Sequence, residues 1–151
     1  MKFFKLVSAI PLFLVIFALY NAMVFIGVNF EECTKPPTDS VSVESCQVEP
    51  LFTATLPSGK TWGPTWGSLL LLFAMFALYI ELIKSTRTAS ITQIEHVLSM
   101  TVFIAYLMEF ILVKGAGTST FLILTLMSSL DVIAGFMITV ASARRDITMG
   151  R

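Results

Sequence analysis

Four apolar stretches dominate this chain, and each is long enough to cross a lipid bilayer as a helix. They run from about 6 to 30, 66 to 83, 95 to 113 and 119 to 141. A bilayer core about 30 Å thick requires roughly 20 apolar residues in a helix. Only 13% of the 151 residues are charged, against about 25% in a typical soluble domain. The sequence therefore predicts one all-α membrane domain over residues 1–151, built as a four-transmembrane-helix bundle.

The first stretch is interpreted as an uncleaved membrane anchor and not as a signal peptide. Lys2 and Lys5 would suit either role. The apolar run that follows has about 25 residues, whereas the core of a signal peptide has about 7–15, and no small-x-small cleavage motif ends it. Pro11 lies about one turn inside this predicted helix, so we expect a kink there.

The positions of lysine and arginine predict the orientation of the bundle. Basic residues near helix ends mark the cytoplasmic side of a membrane protein. If the chain crosses four times, the basic clusters fall on one side; they comprise Lys2, Lys5, Lys84, Arg87, Arg144, Arg145 and Arg151. The sequence thus predicts cytoplasmic termini and an extracytoplasmic loop over 31–65. The short connections favour a bacterial inner membrane.

The only two cysteines, Cys33 and Cys46, both lie in this predicted outer loop. A cysteine pair in an oxidising compartment is typical of a disulfide, which would contribute roughly 3 kcal/mol in the chain-entropy model. The alternative is a pair of free thiols in a reducing compartment. A zinc site is not predicted, because two cysteines without nearby histidine cannot complete a tetrahedral shell. We therefore expect no metal and no cofactor.

The second half of the loop has the alternation of short β-strands. Valines recur at period two over 41–43, and apolar residues do so over 52–56, before an exit turn predicted at 57–60. Trp62 and Trp66 follow at the mouth of the second helix. They are expected in the interfacial aromatic belt, where amphipathic rings are favoured; the alternative is a recognition surface.

This layout resembles that of the claudin-like four-helix membrane proteins. Both have cytoplasmic termini, a long first outer loop with one cysteine pair, and a short second outer loop. In that family the tryptophans of the loop motif precede the cysteines, whereas Cys33 and Cys46 here precede Trp62 and Trp66. The resemblance therefore covers the layout, and the family's function is not carried over.

Charged residues at the cytoplasmic helix ends are expected to form an interfacial ring of ion pairs. Charges at the interface are inexpensive because long side chains reach water. Because Glu95 and His96 are adjacent, their side chains point about 100° apart and do not form a shared metal site. The members of this predicted ring are Glu81, Lys84, Glu95, His96, Arg144 and Arg145.

Asp131 is predicted to lie near the bilayer midplane, about 18 Å from the outer end of the fourth helix at 1.5 Å per residue. Glu109 should lie only about 6 Å inside the outer end of the third helix, too far from Asp131 to pair with it. Asp131 is either a protonated packing residue or part of a proton or cation relay, since intramembrane acids mark ion pathways. Its expected partners are Ser99, Tyr79 and Asn21.

Polar and small residues recur at helical spacing on the third and fourth helices, and the two stripes are expected to face each other. A short hairpin over 114–118 makes these helices antiparallel neighbours. The third-helix stripe comprises Glu95, Ser99, Val102, Tyr106 and Glu109. The fourth-helix stripe comprises Thr125, Ser128, Asp131, Gly135, Thr139 and Ser142.

The sequence carries no phosphate-binding loop, nucleophile elbow or Cys-x-x-Cys motif, so no enzyme activity is predicted. It also lacks the basic surface expected for nucleic-acid binding. The leading hypothesis is a membrane accessory or assembly subunit that binds another membrane protein, or a second copy, through its helix faces or the outer loop. A small proton- or cation-coupled channel or transporter using Asp131 is the alternative. An enzyme acting on lipid or quinone ranks below both.

Overall fold

The computed structural model describes residues 10–30, 50–85 and 92–149. These residues form a mostly helical protein with four helices and a small two-stranded sheet. The helices are α1 (Leu12–Phe25), α2 (Trp66–Ser85), α3 (Thr92–Leu112) and α4 (Ser119–Met149). The strands are β1 (Ala54–Thr55) and β2 (Thr61–Trp62), and a 3-10 turn, Lys114–Ala116, joins α3 to α4.

The described helix α1 covers part of the predicted span of 6–30. Pro11 is its N-cap residue, in extended conformation, so the described helix begins directly after the proline, and the kink predicted there depends on the residues before it. At the other end Gly27 adopts a positive φ of 93°. The amides of Gly27 and Val28 then bond to the carbonyls of Val24 and Met23, which is the Schellman arrangement that ends a helix. Residues 1–9 lie outside the described part.

Three of the helices, α2, α3 and α4, contain segments long and apolar enough to cross a membrane, while α1 is an apolar helix of 14 residues. Helix α1 nevertheless runs the depth of the bundle. Its first amide contacts Glu81 near the end of α2, and the Tyr20 hydroxyl contacts Gly115 and Thr118 between α3 and α4. We call the end marked by Glu81 the polar end, and the end marked by Thr118 the loop end.

Helix α4 is the centre of the packing, since it lies along both α2 and α3, while α1 packs against α2 and α3. The interior near the loop end is aromatic. Phe121 lies within 6.5 Å, centroid to centroid, of four other rings. This aromatic core comprises Phe13, Phe17, Tyr20, Phe30, Tyr106, Phe110 and Phe121.

Helix α4 continues eight residues beyond the predicted end at 141. It has 31 residues, which gives a length of about 46 Å at 1.5 Å per residue. This exceeds the roughly 30 Å of a bilayer core, so the final turns of α4 extend past the span at the polar end. Arg144 and Arg145 belong to this extension as helical backbone, and their side chains are outside the described set.

The loop before α2 does form a small antiparallel sheet, and residues 57–60 have a different role in it from the predicted one. Ala54 pairs with Trp62 and Thr55 with Thr61, so residues 57–60 connect the two strands of a hairpin and are not an exit turn. Gly59 takes the positive φ of 80° that this turn requires. Residues 31–49, with Cys33, Cys46 and the predicted strand at 41–43, lie outside the described residues. The structure therefore gives the disulfide no support.

Candidate functional site

The candidate site lies at the polar end, where the side chain of Glu81 on α2 faces the interior of the bundle. The buried positions of α2 are spaced alternately by three and four residues, as expected for one helix face. They are Gly67, Leu70, Ala74, Ala77 and Glu81. Small residues on this face allow close approach to the neighbouring helices. Glu81 continues the stripe and is only 5% exposed, so the prediction that it belongs to an interfacial ring is wrong.

Glu81 fixes the start of α1. The backbone N–H of Leu12 donates a hydrogen bond of 2.7 Å to Glu81 Oε1. The first amides of a helix have no partner within the helix, and a carboxylate also interacts favourably with the helix dipole there. Pro11, the N-cap residue, makes no capping bond with its side chain. A residue from α2 thus performs the capping that the local sequence of α1 does not.

Asp131 of α4 is as buried as Glu81, with each residue 5% exposed. Both acids line a cavity of about 20 Å³, enough for a single water molecule on the order-of-magnitude scale for such sites. Helices α2, α3 and α4 all contribute to the lining. It comprises Pro11, Glu81, Lys84, Ser85, Glu95, His96, Ser99, Asp131 and Gly135.

Two polar atoms facing this region are buried without a hydrogen-bond partner among the described residues: Glu81 Oε2 and His96 Nδ1. Gly135 makes room for the imidazole, because a Cβ there would lie 2.8 Å from His96 Nδ1. A buried polar atom that lacks a partner costs on the order of 1–3 kcal/mol. A small polar species or a proton held in the cavity would remove that cost.

Lys84 and Glu95 form a salt bridge of 3.4 Å and stay partly exposed, with side-chain exposures of 26% and 20%. Both residues also line the cavity. Among the described residues, the structure contains this one ion pair of the predicted interfacial ring. It places a cation and a third carboxylate beside the buried acids.

The expected partners of Asp131 are only partly right. Ser99 lines the same cavity. Tyr79 is 63% exposed, so it faces away from Asp131. Asn21 instead donates a hydrogen bond of 3.1 Å to Glu109 Oε2, and Glu109 thereby has a partner of its own, well away from the cavity.

The other predicted polar residues of the stripes are buried for structural reasons. The Tyr106 hydroxyl donates to the Phe13 carbonyl at 3.0 Å, and Thr125 Oγ1 donates to the Phe121 carbonyl at 2.8 Å. Ser128 is 1% exposed. The fourth-helix stripe is therefore buried from Thr125 to Gly135, while the side chains of Thr139 and Ser142 are not among those described.

The site is separated from the loop end by tightly packed apolar side chains. Leu70, Ala74, Leu124 and Phe121 are each no more than 2% exposed. Together with the aromatic core they lie between the cavity and the loop end. The cavity is therefore a polar site in an otherwise apolar bundle.

Two buried carboxyl groups, those of Glu81 and Asp131, define the chemistry of the pocket. Within residues 10–30, 50–85 and 92–149, no group of three or more His, Cys, Asp or Glu side chains is arranged to hold a metal. Two carboxyl groups in a poorly hydrated site repel each other when both are charged, and an added proton relieves that repulsion.

Comparison with protein-family models, with curated proteins and with solved structures gives no match for this chain.

Proposed function

We propose that this chain is a small proton-coupled membrane protein of the channel or transporter class. Its working site is the pair of carboxyl groups of Glu81 and Asp131, which binds a proton. The observation that supports the proposal is that both acids are buried and line the same cavity. Ionisable residues inside transmembrane bundles are costly and commonly belong to proton or ion pathways.

The proton enters from the polar end. His96 and Glu95 line the cavity beside the two buried acids, and both residue types exchange protons with water. The relay thus runs from Asp131 toward Glu95 and His96. A relay toward Glu109 is disfavoured because Asn21 already donates a hydrogen bond to that carboxylate. The positive-inside rule would place the polar end in the cytoplasm, since Lys84, Arg144 and Arg145 belong to it.

Passage across the whole bundle requires a second conformation. In the structure the aromatic core closes the way from the cavity to the loop end. A carrier that binds its ion in a closed pocket must expose that pocket alternately to each side. Helix α1 is the candidate moving element, because it is the shortest of the four and is tied to the site by one amide of Leu12.

Proton flux in vesicles tests the proposal. We expect the purified protein, reconstituted in phosphatidylcholine vesicles with an enclosed pH-sensitive dye, to acidify the lumen after an external acid step. Glu81→Gln and Asp131→Asn are each expected to reduce the rate to that of protein-free vesicles, because an amide cannot take up and release the proton.

Glu109→Gln provides the matched control. It makes the same chemical change in a membrane acid outside the cavity, and glutamine Oε1 can still accept the hydrogen bond from Asn21. This variant should retain the wild-type rate. Wild-type protein that shows no flux above empty vesicles, or an Asp131→Asn variant with full flux, would refute the proposal.

The assembly-subunit hypothesis remains the competing prediction. Its proposed docking loop includes residues 31–49, which are outside the described part of the chain. A stoichiometric partner that copurifies in mild detergent, together with an absence of flux from the purified protein, would favour that role.

A further inference from the structure

The hairpin of β1 and β2 has one apolar face and one polar face. Residues paired across an antiparallel ladder point to the same side, and side chains alternate along each strand. The pairing of Ala54 with Trp62 therefore sets the apolar side. Phe52 lies on that side too, because its ring contacts the Trp62 ring edge-on at 6.0 Å.

The ladder continues toward the turn, where the Leu56 amide donates to the Lys60 carbonyl at 2.9 Å. Leu56 therefore follows Ala54 on the apolar face by the alternation of the strand. The opposite face carries Thr53, Thr55 and Thr61. The hairpin is thus an amphipathic ribbon, and by the same register Lys60 lies opposite Leu56 at its turn end.

The described part of the chain leaves this apolar face open. Phe52, Leu56 and Trp62 are 52%, 45% and 53% exposed. A two-stranded ribbon is marginally stable in water on its own. Contact between this face and another apolar phase would stabilise the hairpin.

The position of the hairpin indicates which apolar phase this face contacts. The Leu51 amide donates to the Pro64 carbonyl at 3.0 Å, and Gly63 lies so close to Pro50 that a Cβ would be 2.5 Å from its ring. These contacts hold the ribbon directly before Trp66, where α2 begins. Phe25 and Leu112, at the same end of the bundle, are 93% and 69% exposed, as expected for side chains at lipid level.

We infer that the hairpin lies on the bilayer surface, with Phe52, Leu56 and Trp62 inserted at the boundary between headgroups and acyl chains. Amphipathic elements bind there through their apolar face, and tryptophan is favoured at this depth. Lys60, in the turn, is placed to contact lipid phosphates. The loop end of the protein is thereby anchored beside the helices and does not project into water.

Fluorescence quenching of single-tryptophan variants tests this inference. In the full-length Trp66→Phe protein, Trp62 is the only tryptophan; Trp62→Phe leaves Trp66 as the depth reference. In phosphatidylcholine vesicles, lipids brominated near the headgroup are expected to quench Trp62 as strongly as Trp66, while aqueous iodide quenches it weakly.

Two further substitutions distinguish the faces. Leu56→Asp on the apolar face should lower lipid quenching of Trp62 by about twofold or more, because insertion scales with buried apolar area. Thr55→Asp on the polar face should leave it unchanged.

Strong iodide quenching without lipid quenching would place the hairpin in water. Resistance to both quenchers would mean that protein covers the face, either residues 31–49 or a second copy. Either result would overturn the inference.

Discussion

Replacing Phe121 with alanine is expected to destabilise the protein by about 3 kcal/mol, the low end of the range for phenylalanine truncation in soluble cores. Phe121 is completely buried, and its ring meets those of Phe17, Tyr20, Tyr106 and Phe110. Truncation leaves a cavity where α1, α3 and α4 meet. The low end applies because helix association in lipid depends on packing and not on exclusion of water. Unfolding in mild detergent, followed by circular dichroism, measures the change.

Phe73→Ala is the matched control for this prediction. Phe73 lies on α2 and is 64% exposed, so its truncation removes the same atoms without opening a cavity in the bundle. We expect its stability to stay close to that of the wild type. Equal losses for the two variants would contradict the described packing of the aromatic core.

Replacing Glu81 with leucine is expected to destabilise the bundle by about 1–3 kcal/mol, the cost of leaving a buried hydrogen-bonding group without its partner. Leucine cannot accept the Leu12 amide, which leaves the first turn of α1 uncapped. The loss should be concentrated in α1. Hydrogen exchange measured by mass spectrometry should show faster exchange in α1 than in α3.

Glu81→Gln separates capping from proton binding. Glutamine retains an oxygen that can accept the Leu12 amide, so α1 should keep most of its protection even though proton flux is lost. If Glu81→Gln weakens α1 as much as Glu81→Leu does, the charge and not the hydrogen bond holds the helix, and the proposed division of roles is wrong.

The helical architecture could be predicted from the sequence because membrane thickness sets the length of apolar segments. The starts and ends of α2 and α3 agree with expectation to within three residues. The predicted C-terminal end of α1 was wrong. The apolar residues continue through Gly27, but the helix ends before this glycine, which has a positive φ. Hydropathy does not report a Schellman cap, and Pro11 is equally compatible with a kink or a helix start.

The sequence predicts only part of the candidate site. Asp131 and the buried stripe around it follow from helical spacing. The position of Glu81 near the end of its span predicts an interfacial side chain. The spacing of Gly67, Leu70, Ala74 and Ala77 is the sequence signal for its burial, because the same spacing reaches Glu81 at the next position.

The contact between Glu81 and Leu12 could not be derived from the sequence, since 69 residues separate the two. It depends on α1 beginning at the level where α2 ends. The same holds for the hairpin, because alternation predicts a strand over 52–56 without identifying its partner, Thr61–Trp62. Only the tertiary arrangement decides between such alternatives.

The central claim, that Glu81 and Asp131 form one shared proton-binding site, is tested most directly by infrared difference spectroscopy. Spectra of the protein in vesicles are recorded across a pH step for the wild type, Glu81→Gln, Asp131→Asn and the double variant, following the carbonyl stretch of protonated carboxyl groups. Because interacting acids titrate as a pair, we predict that either single substitution abolishes or shifts the same band and that the double variant loses nothing further. Two independent bands, each removed by one substitution and additive in the double variant, would contradict the account.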